Sequence, residues 1–344
     1  MVKVGIVGYG YWGKNLVRNF NALDNCELVY VCEKNPSLSE KCAKLYPNLK
    51  VVSDYEVLLN DDSISAIVIA TPVDSHYPLS KLALEAGKNV LVEKPLTSSV
   101  EEAEHLYSLA KSKDLLLMVD HTFLYTGAVQ LMKKKVDTKT IGNLQYIDST
   151  RINLGLFQHD VNVLWDLAAH DISICLHLTG KVPVSVDAIG VSHTPNGIEN
   201  IAFLTLKFED NLIAHFNCSW VSPVKIRQML IGGDEKMILY NDNEPTEKIK
   251  IYDTGFEAKT SEDRRRMLVD YRTGDINVPK IQNNEALSLM ALDFINCIQN
   301  GGTPVSSAEL GVTVVKILEA AQKSINNNES EVLIQNNESE VLMK

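Results

Sequence analysis

The sequence has no pair of cysteines at the Cys-x-x-Cys spacing, although it contains six cysteines in 344 residues. That spacing is typical of zinc sites and thiol redox motifs, so the sequence predicts neither, and six isolated cysteines fit buried thiols in a reducing compartment. The sequence also has no apolar run long enough to span a bilayer and no charged leader with a cleavage site. We therefore expect a cytoplasmic protein.

Positive charge is scarce as well, because 33 Lys and Arg residues are outnumbered by 44 Asp and Glu residues, giving a formal net charge of −11. This balance argues against a broad surface for nucleic acid or for anionic lipid. We expect a small-molecule partner, no nucleic acid and no membrane. A chain of 344 residues is long for a single hydrophobic core, so two domains are expected.

The first motif that is present lies at the start of the chain. The apolar run from Val4 to Val7 is typical of a strand, a glycine-rich turn follows, and residues 15–20 have apolar side chains at helical spacing. Strand, glycine turn and helix form the dinucleotide-binding fingerprint, in which backbone N–H groups and a helix N-terminus receive a pyrophosphate. The predicted cofactor-binding residues of this turn are Gly8, Gly10, Tyr11, Trp12 and Gly13.

An acidic residue ends the second predicted strand. Glu33 follows the predicted strand 27–32 and stands about twenty positions after Gly13, where the fingerprint has a carboxylate for the adenine ribose. A carboxylate accepts hydrogen bonds from a free 2′-OH and repels a 2′-phosphate, so NAD is favoured over NADP. Lys34 would soften that preference unless it is an ordinary solvated lysine.

Strand and helix patterns alternate up to residue 122. Near-continuous apolar runs such as 64–70, 89–92 and 115–119 are typical of parallel strands buried on both faces. The sequence therefore predicts an α/β fold, with a Rossmann doubly wound parallel sheet over residues 1–122 and its ligand at the carboxyl ends of the strands. Residues 71–76, 93–95 and 120–125 are all expected to face the cofactor there. Further cofactor contacts are predicted there at Thr71, Pro72, His76, Glu93 and Lys94; for residues 71–76, a simple helix cap made by Asp74 or Ser75 is the alternative.

The pattern changes after Phe123. Two predicted helices are followed by strands with period-two alternation, such as 202–208, which predicts an α+β domain with a large, mostly antiparallel open sheet over residues 123–334. The tail repeats Asn327–Leu333 as residues 336–342. One copy is expected to pair with a sheet edge, and residues 335–344 are expected to be a frayed tail.

Three side chains could do acid–base chemistry. Lys94 ends a predicted strand of the nucleotide-binding sheet, where a partly desolvated lysine would have a lowered pKa and serve as a proton shuttle. Asp166 and His170 are four residues apart on a predicted helix, so the carboxylate could fix the imidazole tautomer. The alternatives are a solvated lysine and a surface hydrogen bond. No complete set of metal ligands accompanies these residues, so no metal is predicted.

These stretches together resemble the Gfo/Idh/MocA family of NAD(P)-dependent oxidoreductases, which act on sugars, inositols and sugar nucleotides. The resemblance rests on Ala70-Thr71-Pro72 with His76, on Glu93-Lys94-Pro95, and on Asp166 with His170. It implies that Lys94, Asp166 and His170 are catalytic residues lining the reacting carbon and that the Lys94–Pro95 bond is cis. It also implies a homodimer or homotetramer assembled through the C-terminal sheet.

A narrower resemblance points to a branch that acts on nucleotide sugars. Asn153-Leu154-Gly155 and the run Trp165–Asp171 are similar to enzymes that oxidise C3 of UDP-N-acetylhexosamine-type substrates, although Ala168 and Ser173 stand where the commoner family motif has glycine and aspartate. Substrate contacts are then expected at Tyr125, Arg151 and Asn153. Arg151 would suit a carboxylate or phosphate, or would be an ordinary strand arginine.

The expected function is therefore NAD-dependent hydride transfer between nicotinamide and a sugar carbon, C3 of a nucleotide-linked amino sugar or its uronate. Two alternatives stand beside it. One is an inositol or free-sugar dehydrogenase of the same family, and the other is a non-catalytic NAD-binding sensor or scaffold that uses the same fold.

Overall fold

The chain divides into two compact units. The computed structural model describes residues 1–155, 157–158, 161–257, 270–327 and 331–334. The first unit comprises residues 1–129 and 283–315, and the second comprises residues 130–282 and 316–344. The domain boundary between residues 122 and 123 stays a prediction, and the frayed tail expected at 335–344 lies outside the described residues.

The described part of the chain contains nine α-helices, which we number in chain order. They are α1 (Gly13–Asn21), α2 (Pro36–Leu45), α3 (Glu56–Leu59), α4 (His76–Glu85), α5 (Val100–Ser112), α6 (Gly127–Asp137), α7 (Ala169–Thr179), α8 (Ala286–Asn300) and α9 (Ala308–Asn327). Short 3₁₀ turns cover Val73–Ser75 and Thr122–Tyr125, and a π-helical turn covers Leu164–Ala168.

The first unit is built on a six-stranded parallel sheet. Its strands are β1 (Val2–Val7), β2 (Cys26–Cys32), β3 (Lys50–Val52), β4 (Ala66–Ile69), β5 (Asn89–Glu93) and β6 (Leu117–Asp120). They lie in the order β3-β2-β1-β4-β5-β6, and every neighbouring pair is parallel. All of Ala66–Ile69 is fully buried, as strands covered on both faces require. The predicted Rossmann sheet is confirmed.

Helix α8 belongs to this first unit although it comes from residues far along the chain. Phe294 of α8 and Phe20 of α1 are both fully buried, and their rings meet edge to face with centroids 6.4 Å apart. Arg18 of α1 forms an ion pair with Glu285, the residue before α8. The first unit is thus closed by a segment that the sequence analysis assigned to the second domain.

The second unit is built on a nine-stranded sheet. Its strands are β7 (Leu144–Leu154), β8 (Ser185–Val191), β9 (Ile201–Lys207), β10 (Ile213–Ser219), β11 (Val221–Gly233), β12 (Met237–Asn241), β13 (Ile249–Tyr252), β16 (Ile276–Asn277) and β17 (Val332–Leu333). Strands β14 (Gly255–Glu257) and β15 (Asp270–Arg272) pair separately. The order is β16-β13-β12-β11-β7-β10-β9-β8-β17, and among these neighbours only β7 and β10 are parallel. The mostly antiparallel open sheet is confirmed.

Alternation along these strands buries one face. Ala202, Leu204 and Leu206 of β9 are fully buried, whereas Phe203 between them is 43% exposed. Strand β10 continues the pattern as a hairpin partner of β9, with Ala214 opposite Leu206. Within this chain the other face of the sheet therefore carries exposed apolar side chains.

Two expectations from the sequence concern membrane-spanning helices and the burial of the cysteines. None of the described helices combines the length and apolar character that a membrane crossing requires. All six cysteines are free thiols, and five are buried. The sixth, Cys297 of α8, is half-buried, and its thiol donates to Asp293 Oδ1 at 3.7 Å. The expectation that all six are buried is wrong for this residue.

Candidate functional site

The glycine turn of the first unit has the backbone that a pyrophosphate requires. Gly8 has a φ of +94°, and a Cβ built there would lie 2.4 Å from the carbonyl oxygen of Ala70. A Cβ on Gly13 would lie 2.1 Å from the carbonyl oxygen of Gly8. A Cβ on Gly10 would meet no atom within 4 Å, so this glycine adjoins open space. The turn is therefore close-packed against the sheet and open beside Gly10, which fits the approach of a phosphate.

Aromatic side chains follow on the same turn. Tyr11 is 75% exposed and Trp12 is 49% exposed, and their rings meet edge to face with centroids 5.3 Å apart. Large exposed rings in one turn are unusual enough to suggest a ligand. Their predicted role in binding the cofactor stays a prediction.

Glu33 is held in place by backbone N–H groups. Its Oε2 accepts a hydrogen bond from Tyr9 N at 2.7 Å, and its Oε1 accepts one from Asn35 N at 2.7 Å. The side chain of Asn35 in turn caps α2 by accepting hydrogen bonds from the first N–H groups of that helix. The carboxylate is thus fixed beside the glycine turn, and each of its oxygens has further acceptor capacity for a ribose hydroxyl.

His76 joins two strand ends of the first sheet. Its Nδ1 lies 2.8 Å from the Pro95 carbonyl oxygen, and its Nε2 lies 2.9 Å from the Thr71 carbonyl oxygen. Burial lowers the pKa of His76, so the ring is neutral and donates to one of these two oxygens at a time. Thr71 also accepts a hydrogen bond from Ser75 Oγ at 2.6 Å. The structure shows His76 tying residue 71 to residue 95, and its predicted cofactor contact, like those of Thr71 and Pro72, stays a prediction.

Lys94 follows β5, and its peptide bond to Pro95 is cis, as the family resemblance implies. Glu93, the last residue of β5, lies in register opposite Asp120, the last residue of β6. Burial, together with the neighbouring Asp120 carboxylate, raises the pKa of Glu93 well above its usual range. Burial raises the pKa of Asp120 to about 6. Two facing carboxyl groups with raised pKa values share protons, so this pair carries less negative charge than two free carboxylates.

His121 follows this carboxyl pair directly and lies within residues 120–125, which were expected to face the cofactor. It is 1% exposed, and neither ring nitrogen has a hydrogen-bond partner among the described residues. Burial lowers its pKa to about 3, so the imidazole is neutral near pH 7. Buried polar atoms are almost always paired with protein, water or ligand, so both ring nitrogens of His121 can still bond to another group.

Tyr125, a predicted substrate contact, has polar partners inside its own unit. Its hydroxyl donates to Asp293 Oδ2 at 2.7 Å and accepts from Ser306 N at 3.2 Å. Burial and the Asp293 carboxylate raise the pKa of this phenol. The hydroxyl thus joins the 3₁₀ turn after β6 to α8 and to the start of α9, and its substrate contact stays a prediction.

In the second unit, Arg151 forms a buried ion pair. Its Nε donates to both Asp171 oxygens at 3.0 Å, and its Nη2 donates to Asp171 Oδ1 at 2.5 Å. Ser149 Oγ donates to Asp171 Oδ2 at 2.9 Å, and all three residues are at most 3% exposed. Strand β7 thereby holds the first turn of α7 through its buried face. Arg151 is shown as the partner of a carboxylate of its own unit, and its predicted contact with substrate stays a prediction.

Asp166 lies in the π-helical turn rather than in a continuous α-helix. Its Oδ2 accepts a hydrogen bond from Trp220 Nε1 at 3.0 Å. The predicted single helix over 163–178 is therefore wrong at its start, because a wider turn over Leu164–Ala168 precedes α7. Such turns are rare and occur often at functional sites. That Asp166 orients His170 stays a prediction.

His170 is half-buried in the first turn of α7. Its carbonyl oxygen accepts a hydrogen bond from Ser173 Oγ at 2.7 Å, so the serine at the departure from the commoner family motif bonds to the helix backbone. Asn153 is half-buried near the end of β7. Their predicted catalytic and substrate roles stay predictions. Across the described residues, no group of three or more His, Cys, Asp or Glu is arranged to hold a metal ion.

Sequence reasoning placed residues 120–125 toward the cofactor without giving Asp120 or His121 a role, and it did not single out Ser149, Asp171 and Trp220. For Asp120, a signal existed, because the ends of adjacent parallel strands lie side by side and Glu93 was already a candidate. For Asp171, the signal was its place next to His170. Trp220 gave none, since only the tertiary structure brings its indole to Asp166.

Comparison with known proteins identifies the family. Residues 2–121 match the family model described as oxidoreductase family, NAD-binding Rossmann fold, and residues 129–239 match the GFO/IDH/MocA C-terminal domain. The chain is 26% identical to scyllo-inositol 2-dehydrogenase (NADP(+)) IolW of Bacillus subtilis over 96% of both chains. It is 27% identical to UDP-N-acetylglucosamine 3-dehydrogenase of Acidithiobacillus ferrooxidans over 67% of this chain and 71% of that one.

The fold agrees with this assignment. A solved structure of UDP-N-acetylglucosamine 3-dehydrogenase GnnA from Acidithiobacillus ferrooxidans superposes with a TM-score of 0.78, at 23% identity, over 94% of this chain and 98% of that chain. Both domain models belong to one family and follow each other in the expected order along the chain. The chain therefore belongs to the Gfo/Idh/MocA family, and it is an oxidoreductase of CH–OH groups with an NAD-binding Rossmann domain.

Proposed function

We propose that this protein is an NAD-dependent dehydrogenase whose substrate is a nucleotide-linked amino sugar or its uronate, oxidised at C3. The observation that carries the proposal lies in the first unit. The glycine turn follows β1 and Lys94 follows β5, and the carboxyl ends of the strands of a parallel sheet lie at the same end of the sheet. Oxidation of an alcohol by hydride transfer needs a bound cofactor and a group that stabilises the alcohol oxygen. The glycine turn would hold the cofactor, and Lys94 would supply that group at the same end of the sheet.

Glu33 supports NAD over NADP. Its carboxylate is fixed beside the glycine turn by two backbone N–H groups. In the dinucleotide-binding fingerprint, the acidic residue after the second strand binds the adenine ribose. A 2′-phosphate would meet a negative charge that cannot turn away without losing both hydrogen bonds. Bound NAD would supply the hydride acceptor, and no other oxidant is required.

The proton chemistry is assigned to Lys94 and His170. His170 removes the hydroxyl proton of the sugar while the C–H bond gives up its hydride, and the Lys94 ammonium donates a hydrogen bond to the developing oxyanion. Asp166 keeps the imidazole in the tautomer that accepts the proton. Lys94 belongs to the first unit and His170 to the second, so their action on one carbon is part of the proposal.

The nucleotide sugar is supported by one relative, and an inositol is the second candidate. The relative named UDP-N-acetylglucosamine 3-dehydrogenase matches two thirds of the chain, and Asn153 to Gly155 with Trp165 to Asp171 resemble that branch. The relative named scyllo-inositol 2-dehydrogenase matches nearly the whole chain at the same level of identity. Both candidates require the same proton chemistry and differ in what binds beyond the ring.

We further propose a cytoplasmic homodimer or homotetramer assembled through the nine-stranded sheet. The support is a set of exposed apolar side chains on one face of that sheet in the single chain. Ile189, 68% exposed, lies opposite Phe203, 43% exposed, and Ile213 on β10 is 44% exposed. Exposed apolar side chains on one face of a sheet are typical of protein–protein contacts. Sedimentation analysis of the unmodified chain and of Phe203→Asp would test the assignment, with a monomeric Phe203→Asp variant expected.

The function is tested by NAD reduction across a panel containing UDP-N-acetylglucosamine, its uronate, free N-acetylglucosamine and scyllo-inositol. Turnover of the UDP-sugars, with loss of at least about tenfold in kcat/KM when the nucleotide is removed, is expected. Turnover of scyllo-inositol alone would select the second candidate. NADH binding by fluorescence without turnover of any sugar would replace both with a non-catalytic sensor.

A further inference from the structure

The edge of the second sheet holds a short strand from the tail. Strand β17 pairs antiparallel with β8, with Val332 opposite Val186 and Leu333 opposite Ser185. The pairing continues one residue further, where Ile334 N donates to the Val184 carbonyl oxygen at 3.0 Å. The tail copy that was expected to pair with a sheet edge does so.

Side chains define what this edge accepts. Glu331 Oε1 accepts hydrogen bonds from Ser185 Oγ at 2.6 Å and from Lys207 Nζ at 3.1 Å. Val332 is half-buried and Ile334 is 8% exposed, whereas Leu333 between them is 74% exposed. We call this docking site the tail slot. It selects an acidic residue with aliphatic side chains one and three positions after it, as in Glu331, Val332 and Ile334.

The tail slot is closed at its other end by α9. Ser324 Oγ accepts a hydrogen bond from Ala188 N at 3.0 Å and donates one to the Ala188 carbonyl oxygen at 3.3 Å. These bonds use the backbone groups of β8 that a longer strand would need. The tail slot consequently takes a segment of about four residues and fixes its register.

The same four-residue pattern occurs a second time in the chain. Glu340, Val341 and Met343 follow the repeated Asn-Asn-Glu-Ser and correspond to Glu331, Val332 and Ile334. Methionine fills an aliphatic pocket shaped for isoleucine at small cost. The second segment thus satisfies every requirement that the first reveals, and it lies outside the described residues.

We propose that the tail slot is a docking site for either segment, with residues 340–343 as its second, intramolecular occupant. From the end of α9 at Asn327, three residues precede Glu331 and twelve precede Glu340. Loop closure scales as the logarithm of length, so this fourfold longer connection disfavours the second segment by about eightfold. The first segment dominates, and the second replaces it whenever the first is released.

Hydrogen exchange measured by mass spectrometry tests the exchange of segments in the full-length chain. The first variant carries Glu331→Lys and Ile334→Asp, which puts a cation near Lys207 and a carboxylate in a buried position. The matched variant carries Glu340→Lys and Met343→Asp, and a third carries all four changes. Peptides from the two copies are distinguishable because the residues that follow Leu333 and Leu342 differ.

In the first variant, the amides of 341–343 should exchange at least about tenfold more slowly than in the variant with all four changes. In the matched variant, the amides of 332–334 should keep the protection seen in the unmodified chain. Equal exchange of 341–343 in the first and four-change variants would overturn the proposal. Protection that grows with protein concentration would also overturn it, because a neighbouring chain would then supply the strand.

Discussion

The two units hold their candidate site residues by different means. In the first unit, Glu33, Thr71 and Lys94 each follow the carboxyl end of a strand, so a ladder of backbone hydrogen bonds sets where they lie. In the second unit, His170 lies on a helix whose first turn is tied to β7 by the buried pair Arg151–Asp171. The backbone hydrogen bonds of a sheet remain when one side chain is lost, whereas a single substitution breaks the charge pair that ties the start of α7 to β7.

The buried polar groups near these residues differ in the same way. The carboxyl groups of Glu93 and Asp120 face each other and have raised pKa values, so protons balance their charge. The Asp171 carboxylate is balanced by the Arg151 guanidinium. The protonation of the carboxyl groups changes with pH, but a guanidinium stays charged. The stability of the first unit should therefore depend on pH through its carboxyl pair. The stability of the second unit should depend instead on keeping both members of its charge pair.

The largest effect should come from breaking the charge pair. Asp171→Ala would leave the Arg151 guanidinium buried without its carboxylate, which should lower the free energy of unfolding by about 3–5 kcal/mol. Urea denaturation of the variant and the unmodified protein measures this loss.

The double variant Arg151→Met with Asp171→Leu is the matched control. Because it removes both charges together, it should restore the free energy of unfolding to within about 1–2 kcal/mol of the unmodified protein. If kcat stays low while stability returns, the pair positions His170. A loss below about 1 kcal/mol in Asp171→Ala would contradict the contrast between the units.

The next effect concerns the proposed acid–base groups, one in each unit. Lys94→Ala and His170→Ala should each lower kcat by at least about 100-fold, while the Kd for NADH stays nearly unchanged. Steady-state kinetics and NADH fluorescence titration give the two quantities. The exposed residues Lys41 and His105 supply controls as Lys41→Ala and His105→Ala. Full activity in both active-site variants would remove the proposed mechanism.

The carboxyl pair should make stability depend on pH. The folded-state pKa of Asp120 is raised to about 6, above the ordinary value of 3.8, so the folded protein holds a proton that the unfolded chain has lost. The free energy of unfolding should therefore fall as pH rises from about 4 to about 6. Asp120→Asn removes this contribution, so its free energy of unfolding should fall less over that range. Parallel pH dependence in both proteins would show that Asp120 does not hold the proton.

The smallest effect concerns the strand end at residue 33. Glu33→Ser removes a carboxylate that accepts hydrogen bonds and repels phosphate, so the preference for NAD over NADP in kcat/KM should fall by about tenfold. Glu40→Ser, an exposed change on α2, is the matched control and should leave the preference intact. An unchanged preference in Glu33→Ser would assign the choice of cofactor to other residues.

Much of the first unit was predictable because its signals are local. The glycine turn, each apolar run and Glu33 can be recognised from short stretches of sequence. In a parallel sheet, the residues that follow the strands lie together at the carboxyl end of the sheet, so their position can be predicted without knowing any long-range contact. The nine-stranded sheet was predictable from alternation for the same reason. The return of α8 to the first unit was not, since pairing Phe20 with Phe294 joins residues more than 270 positions apart.

The site of the second unit was harder to predict. Helical spacing predicted that Asp166 and His170 lie on one face of a helix. A π-helical turn changes the angle between successive residues, and no pattern of side chains predicts such a turn. Arg151 looked equally suited to a phosphate because its partner, Asp171, is twenty residues away. Polar partners brought together by folding leave no periodic trace in the sequence.

The sequence by itself determined the class of fold, the nucleotide turn and the identity of the chemical groups, because these follow from short stretches whose backbone and periodicity carry the information. Only the tertiary structure decided which polar groups meet: the Asp120 and Glu93 carboxyl groups, the Asp171 carboxylate with the Arg151 guanidinium, and the Trp220 indole with Asp166. The reason is energetic, since a buried charge or donor must find a partner in space. The partner nearest in space is seldom the nearest in sequence.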